Sequence, residues 1–250
     1  MKPIRTIWAA KMQAGVLDIY LYDDIVPDGE DWWTGEPIPS ATSAATVQKM
    51  IEDAGSVAAV NVYINSYGGD VKEGIGIASQ LKRCTAFVTA YVDGFACSVA
   101  SVIADAADKV VMDSSALMMI HNASMGAYGT SAELRKAADD LDVINSQAIK
   151  AYQDKAGDKL PDDTLQQFLA NEQWLTAEQC VQYGLADEIA SKNPTPQQTA
   201  TQRLAQARAA FVAQMAAQHN PSGHVPEKFN TQKTNAERLM AAFGKKKWED

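Results

Sequence analysis

Residues 56–83 read SVAAVNVYINSYGGDVKEGIGIASQLKR, and this stretch decides the fold class. Residues 56–65 form a near-continuous apolar run without the polar alternation of a half-exposed strand, so the strand they predict is covered on both faces. Gly68 and Gly69 end it. Asp70 follows as a candidate N-cap with Glu73 three residues on, which predicts a helix starting at once. A buried strand, a glycine turn and a capped helix are the parts of a parallel sheet with helical crossovers.

Working outward, the same grammar recurs. Upstream, TIWAAKM (6–12) and GVLDIYLYD (15–23) have strand composition, DIVPDGEDWWTGEPIPS (24–40) reads as a loop, and residues 41–53 as a short helix. Downstream come strand AFVTAYVDG (86–94), the small-residue helix SVASVIADAA (98–107), and strands DKVVMD (108–113) and SALMMIHN (115–122). Thr130 and Glu133 have capping-box spacing, Leu134, Ala138, Leu141 and Ile144 recur at helical intervals, and Gly157 offers a stop, so the longest helix is expected there. A second box, Thr176 with Gln179, starts the helix TAEQCVQYG, and ADEIA closes the sheet. The expected class is α/β.

Composition bounds the rest. The chain has 250 residues, is 46% hydrophobic and carries a net charge of −9, enough core for a globular enzyme and the wrong sign for a nucleic-acid partner. No window is long and apolar enough for a membrane span or a signal peptide, so no membrane association and a cytoplasmic location are expected. Cys84, Cys97 and Cys180 are widely spaced without a CxxC pair, which argues against a disulfide framework and against zinc. The charge is uneven: residues 1–190 hold 13 basic against 27 acidic side chains, whereas residues 191–250 hold 9 against 4. The second segment opens SKNPTPQQTATQ, contains the breaker stretch HNPSGHVPE and is rich in Gln and Ala, so it reads as a flexible basic tail after a domain of residues 1–190. Leu204, Phe211 and Met215 make one narrow helical stripe, too little for a core of its own.

Three features carry chemistry. Ser98 stands where a strand passes into a helix, beside orphan amides and the positive end of the dipole, although without the flanking glycines of a G-x-S-x-G elbow. His121, the one histidine before residue 191, ends the apolar strand ALMMI, where ligands of open α/β sheets gather. Gly68 and Gly69 allow a close backbone approach whose amides face a carbonyl oxygen. Each has an ordinary reading as well: a helix cap, a structural histidine, a plain turn. Phosphate binding lacks both GxxxxGK[ST] and GxGxxG, so no nucleotide or other cofactor is expected. Together, serine, histidine and two sources of amides at strand ends are the parts of an acyl-transfer site.

The segments INSYGGDVKEGIGIASQL, VDGFACSVASVIADAADKVVM and ALMMIHNASMGAYGTSAEL, followed by QWLTAEQCVQYGLADEI, resemble the ClpP family of serine peptidases in order and spacing over residues 57–190. With the long helix RKAADDLDVINSQAIKAYQDKAG, the wording looks most like the ClpP-like proteases of tailed phages and prophages that mature the viral head. The resemblance implies a ClpP/crotonase-like fold of repeated β-β-α units with a mainly parallel sheet and a protruding handle helix. It implies Ser98 as nucleophile, His121 as general base, and oxyanion amides from Gly68, Gly69 and Val99. The family aspartate falls on Glu172, a glutamate here, with Asp113 as the rival carboxylate and Asn171 a poorer, neutral neighbour. It implies a ring-forming homo-oligomer acting on polypeptides, phage head or scaffold proteins in the closest wording, in the host cytoplasm or immature capsid. With no P-loop in this chain, any ATP use belongs to a separate unfoldase.

Rival readings remain at this level. A Ser–Lys dyad would draw on Lys72 or Lys109, and Cys97 adjoins the serine but is expected to serve packing. A crotonase-like acyl-CoA hydratase or isomerase shares the fold and needs neither Ser98 nor His121, and a non-catalytic capsid assembly factor needs no site at all.

Overall fold

A computed structural model describes residues 10–13 and 15–190. The chain divides into two units, residues 1–207 and 208–250, and only the first contains described residues. The basic segment expected at 191–250, with its stripe of Leu204, Phe211 and Met215, lies outside them.

The strand predicted at 56–65 is β5 (Ala59–Ser66), the hub of an eight-stranded sheet. On one side it pairs in parallel with β2 (Val16–Leu21), which pairs antiparallel with the edge strand β1 (Ala10–Gln13). On the other it pairs in parallel with β6 (Phe87–Cys97). One face is fully buried through Ile19, Leu21, Val60, Val62, Ile64, Ala90 and Val92, whereas the opposite face, with Asp18, Tyr63 and Thr89 buried and Tyr20, Asn61 and Tyr91 half-buried, is covered only in part, so the double coverage expected of the strand at 56–65 is incomplete. Tyr20, Tyr63 and Tyr91 occupy one register across β2, β5 and β6 and stack with centroids 4.8 and 5.1 Å apart.

Strand β6 forks the sheet. Its first part, Thr89–Val92, pairs with β7 (Lys109–Met112), and its last residues, Phe95–Cys97, pair with β8 (Leu117–Ile120), both in parallel. Asp93 and Gly94 lie at the change of partner. The Tyr22 hydroxyl donates to the Asp93 carboxylate there. Burial, with Asp113 adding repulsion, raises the Asp93 carboxyl to about 6.

Helices cover the sheet. They are α1 (Ala44–Ala54), α2 (Val71–Arg83) and α3 (Val99–Asp105), with α1 packing on α2 and α2 on α3. In α2 the buried set Gly74, Ile77, Ala78 and Leu81 follows the helical repeat, and the expected cap is present, Asp70 Oδ1 accepting from the Glu73 amide at 2.9 Å. Helix α4 (Ser131–Ala156) has both halves of the predicted capping box and stops at Gly157. It buries only Tyr152 and Ala156, so it is anchored near its C-terminal end and stands exposed along most of its length. After α5 (Asp162–Ala170), strand β9 (Gln173–Thr176) adds antiparallel to β8, α6 (Ala177–Tyr183) carries the second predicted box, and β10 (Glu188–Ile189) pairs in parallel with β7. The fold is the predicted α/β class with a mainly parallel sheet. No described helix is long and apolar enough to cross a membrane.

Three elements depart from the sequence reading. The loop at 24–40 holds a hairpin, β3 (Gly29–Glu30) with β4 (Pro37–Ile38), closed by Asp31, whose carboxylate accepts from the amides of Trp33 and Thr34. Two-residue strands are too short to show periodicity. Neither α5 nor β9 was marked, because residues 157–175 carry no capping pair and the four residues of β9 run straight into the cap of α6.

Candidate active site

The site gathers at strand ends. Strand β6 delivers Ser98 into the first turn of α3 with φ 54° and ψ −131°, a left-handed conformation rare for a residue with a Cβ. Such strain costs about 1–3 kcal/mol and persists only where the surroundings impose it. The Ser98 N–H donates to the Met119 carbonyl of β8 at 2.8 Å, and the Ser98 carbonyl accepts from the Ser101 amide at 3.0 Å and the Ser101 hydroxyl at 2.6 Å. A sharp strand-to-helix elbow therefore forms without the flanking glycines that its usual sequence signature demands.

Glycine is needed opposite instead. A Cβ on Gly68 would lie 2.6 Å from the Ser98 Cβ and 2.7 Å from the Cys97 carbonyl, and Gly68 has φ 95°. A Cβ on Gly69 would lie 2.2 Å from the Ile25 carbonyl. Ile25 brackets this turn, its amide donating to the Gly68 carbonyl and its carbonyl accepting from the Asp70 amide, both at 2.7 Å. The expectation for Gly68 needs correcting in one respect. Its amide is engaged by the Ser66 hydroxyl at 3.1 Å, so what it supplies is close approach. The amides of Gly69 and Val99 make no hydrogen bond among the described residues, the latter as the first orphan donor of α3.

His121 follows the last residue of β8, and its Nε2 lies 2.8 Å from the Ser98 Oγ. The β6–β8 ladder, with Cys97 opposite Met119, brings the two together. Glu172 is placed differently. The β8–β9 register pairs Ile120 with Gln173, so Glu172 comes next, opposite His121. Glu172 is exposed and has φ 50°, which breaks the extended ladder. Among the described residues it makes no hydrogen bond or ion pair with the imidazole.

The other side chains weighed above are occupied. Asp113 accepts from the amide and hydroxyl of Ser115 in a strand-ending turn, and Asn171 caps α5. Lys72 lies 3.5 Å from Glu73, and the Lys109 ammonium is bonded to Glu188, which holds its pKa above the ordinary value. Burial pushes the Cys97 thiol up to about 12, so it stays protonated and inert.

A family model described as Clp protease matches residues 33–193. The chain belongs to the Clp protease family. It is 31% identical over 173 residues to an ATP-dependent Clp protease proteolytic subunit of Ligilactobacillus salivarius, covering 68% of this chain and 86% of the relative. It is 27% identical over 164 residues to proteolytic subunit 2 of a Synechococcus species, covering 64% and 82%. As a member of this family the protein is a serine-type peptidase, a hydrolase.

In this Clp protease family chain a cavity of about 170 Å³ opens beside Ser98 and His121. Val71 and Ile75 of α2, Val102 of α3, and Ile144 and Ala148 of α4 make its walls mostly apolar, with Lys82 also among the lining residues.

Proposed function

We propose that the chain hydrolyses peptide bonds with Ser98 as nucleophile, His121 as general base and the amides of Gly69 and Val99 as oxyanion donors. The observation that carries this reading is the 2.8 Å contact between Ser98 Oγ and His121 Nε2 beside two unengaged amides. Ser98 Oγ bonds to the carbonyl carbon as His121 Nε2 takes its proton, and the carbonyl oxygen becomes an anion facing both amides. Collapse breaks the C–N bond, the imidazolium returns the proton to the leaving amine, and an acyl-Ser98 ester remains. Water then repeats the sequence, giving a carboxylic acid and free serine. Glu172, opposite His121 in register, is the proposed acid; it orients the imidazole once its side chain swings in.

The apolar cavity supports cleavage after an apolar side chain. Relatives named as proteolytic subunits of ATP-dependent proteases support assembly into rings served by a separate unfoldase. The resemblance of the long helix to phage enzymes supports head or scaffold proteins as substrates, with residues 1–190 as the peptidase and 191–250 as a basic extension. A fluorophosphonate probe tests the chemistry: labelling of the wild type that Ser98→Ala abolishes supports it, and an unlabelled wild type contradicts it. Head-protein processing unchanged by Ser98→Ala would return the non-catalytic assembly reading.

A further inference from the structure

Two buried hydroxyls stand in line behind Ser98. Ser101 Oγ, 2.6 Å from the Ser98 carbonyl oxygen, also lies 2.8 Å from the hydroxyl of Tyr152 on α4. A serine hydroxyl has one proton to give. Ser101 spends it on the Ser98 carbonyl, so Tyr152 is the donor in the second contact. The chain runs one way: Tyr152 O–H to Ser101 Oγ, Ser101 O–H to the Ser98 carbonyl. Ser101 is 0% and Tyr152 1% exposed, so water does not compete for the link between them. Burial also raises the Tyr152 phenol above its ordinary value, which keeps it a donor wherever a histidine titrates.

The consequence reaches beyond Ser98. A trans peptide unit is planar, with its C=O and N–H pointing in opposite directions, and no cis bond occurs among the described residues. The Ser98 carbonyl and the Val99 N–H share one unit. Holding the carbonyl toward Ser101 therefore aims the Val99 N–H the opposite way. The Met119 carbonyl holds the preceding unit through the Ser98 N–H, so both planes flanking the serine Cα are fixed.

We propose that Tyr152 and Ser101 are positioning residues that fix the Ser98–Val99 peptide, and through it both the nucleophile and one oxyanion donor. The proposal rests on Ser98 being the nucleophile. It makes the base of α4 part of the catalytic apparatus, with Tyr152 acting through the Ser101 hydroxyl.

The test compares the full-length wild type with Tyr152→Phe, Ser101→Ala and the double variant, with Ser98→Ala as control. Phenylalanine keeps the ring in place, so Tyr152→Phe is expected to melt close to the wild type. Its second-order labelling by a small fluorophosphonate should fall about fivefold, in line with loss of one buried hydrogen bond. On a peptide substrate kcat should fall by the same factor with KM unchanged, and the pH–rate profile should keep its shape at a lower plateau. Ser101→Ala should lose about tenfold or more, and the double variant no more than Ser101→Ala, because both hydroxyls act through one chain. Wild-type labelling in Tyr152→Phe overturns the relay alone. Losses that multiply in the double variant, or that fall wholly on KM, overturn it too. Labelling that Ser98→Ala leaves intact overturns the nucleophile assignment and the relay together.

Discussion

Ser98 and His121 touch, yet the two sides of their contact are built differently. On the serine side every residue of α3 is buried, and both peptide units flanking Ser98 are hydrogen-bonded to the interior. On the histidine side β8 ends at Ile120, residues 121–129 form no helix or strand, and most of them are exposed. Among the described residues the imidazole's remaining nitrogen has no partner. Functions performed by the backbone are thus anchored in the core. The carboxylate proposed to orient the imidazole, Glu172, stands at an exposed strand end and has to travel to reach it.

Three changes probe that asymmetry. The largest effect is expected from His121→Ala, about a 10⁴-fold loss of kcat or more, since the serine loses the proposed base bonded to it. Gly68→Ala attacks the buried side. Its Cβ meets Ser98 and the Cys97 carbonyl, so labelling should fall about a hundredfold and stability by about 3 kcal/mol in denaturant titration. A variant that labels normally would show the serine side to be more tolerant than its packing indicates. Glu172→Gln probes the exposed side and should lower kcat only about tenfold, far short of the roughly 10⁴-fold cost in a buried triad. A loss near that larger figure would mean that the carboxylate is fully docked on the imidazole during turnover.

The smallest effect concerns stability. Asp93 is raised from 3.8 to about 6 mainly by burial, so the folded chain keeps a proton that the unfolded chain releases between these values. Stability therefore falls as pH rises through that window, and above it the buried charge costs about 3 kcal/mol. Asp93→Asn, whose amide oxygen still accepts from Tyr22, should be more stable than the wild type at pH 8, with the gain vanishing toward pH 4 in thermal melts. An advantage independent of pH would assign the effect to packing.

Much of this was legible in the sequence for a definite reason. Caps and glycine turns are local codes, so Asp70, Thr130, Thr176 and Gly157 marked helix boundaries that the structure reproduces. Apolar runs marked β5 and β6 as central strands of the sheet, although only one face of each is fully buried. Pairing between distant segments has no local code. The fork of β6, the addition of β9 and the bracket of Ile25 around the Gly68–Gly69 turn are written only in tertiary contacts. The same limit governs the site. Ser98 and His121 announced themselves by strand-end position, whereas the φ of 50° at Glu172 and the hydroxyls of Ser101 and Tyr152, 51 residues apart, left no trace in any pattern.

The fork of β6 also decides when a chain of this kind becomes dangerous to its neighbours. The proposed nucleophile and base come within reach only where Phe95–Cys97 pair with Leu117–Met119, beyond the part of the same strand that pairs with β7. A slip of one residue would carry His121 about 3.3 Å along the strand and turn it to the other face. A newly made chain therefore holds no assembled site while its sheet is open, and unfolded copies beside it are spared. Correct pairing of one three-residue ladder is the safety catch of a protease that must fold among its own potential substrates.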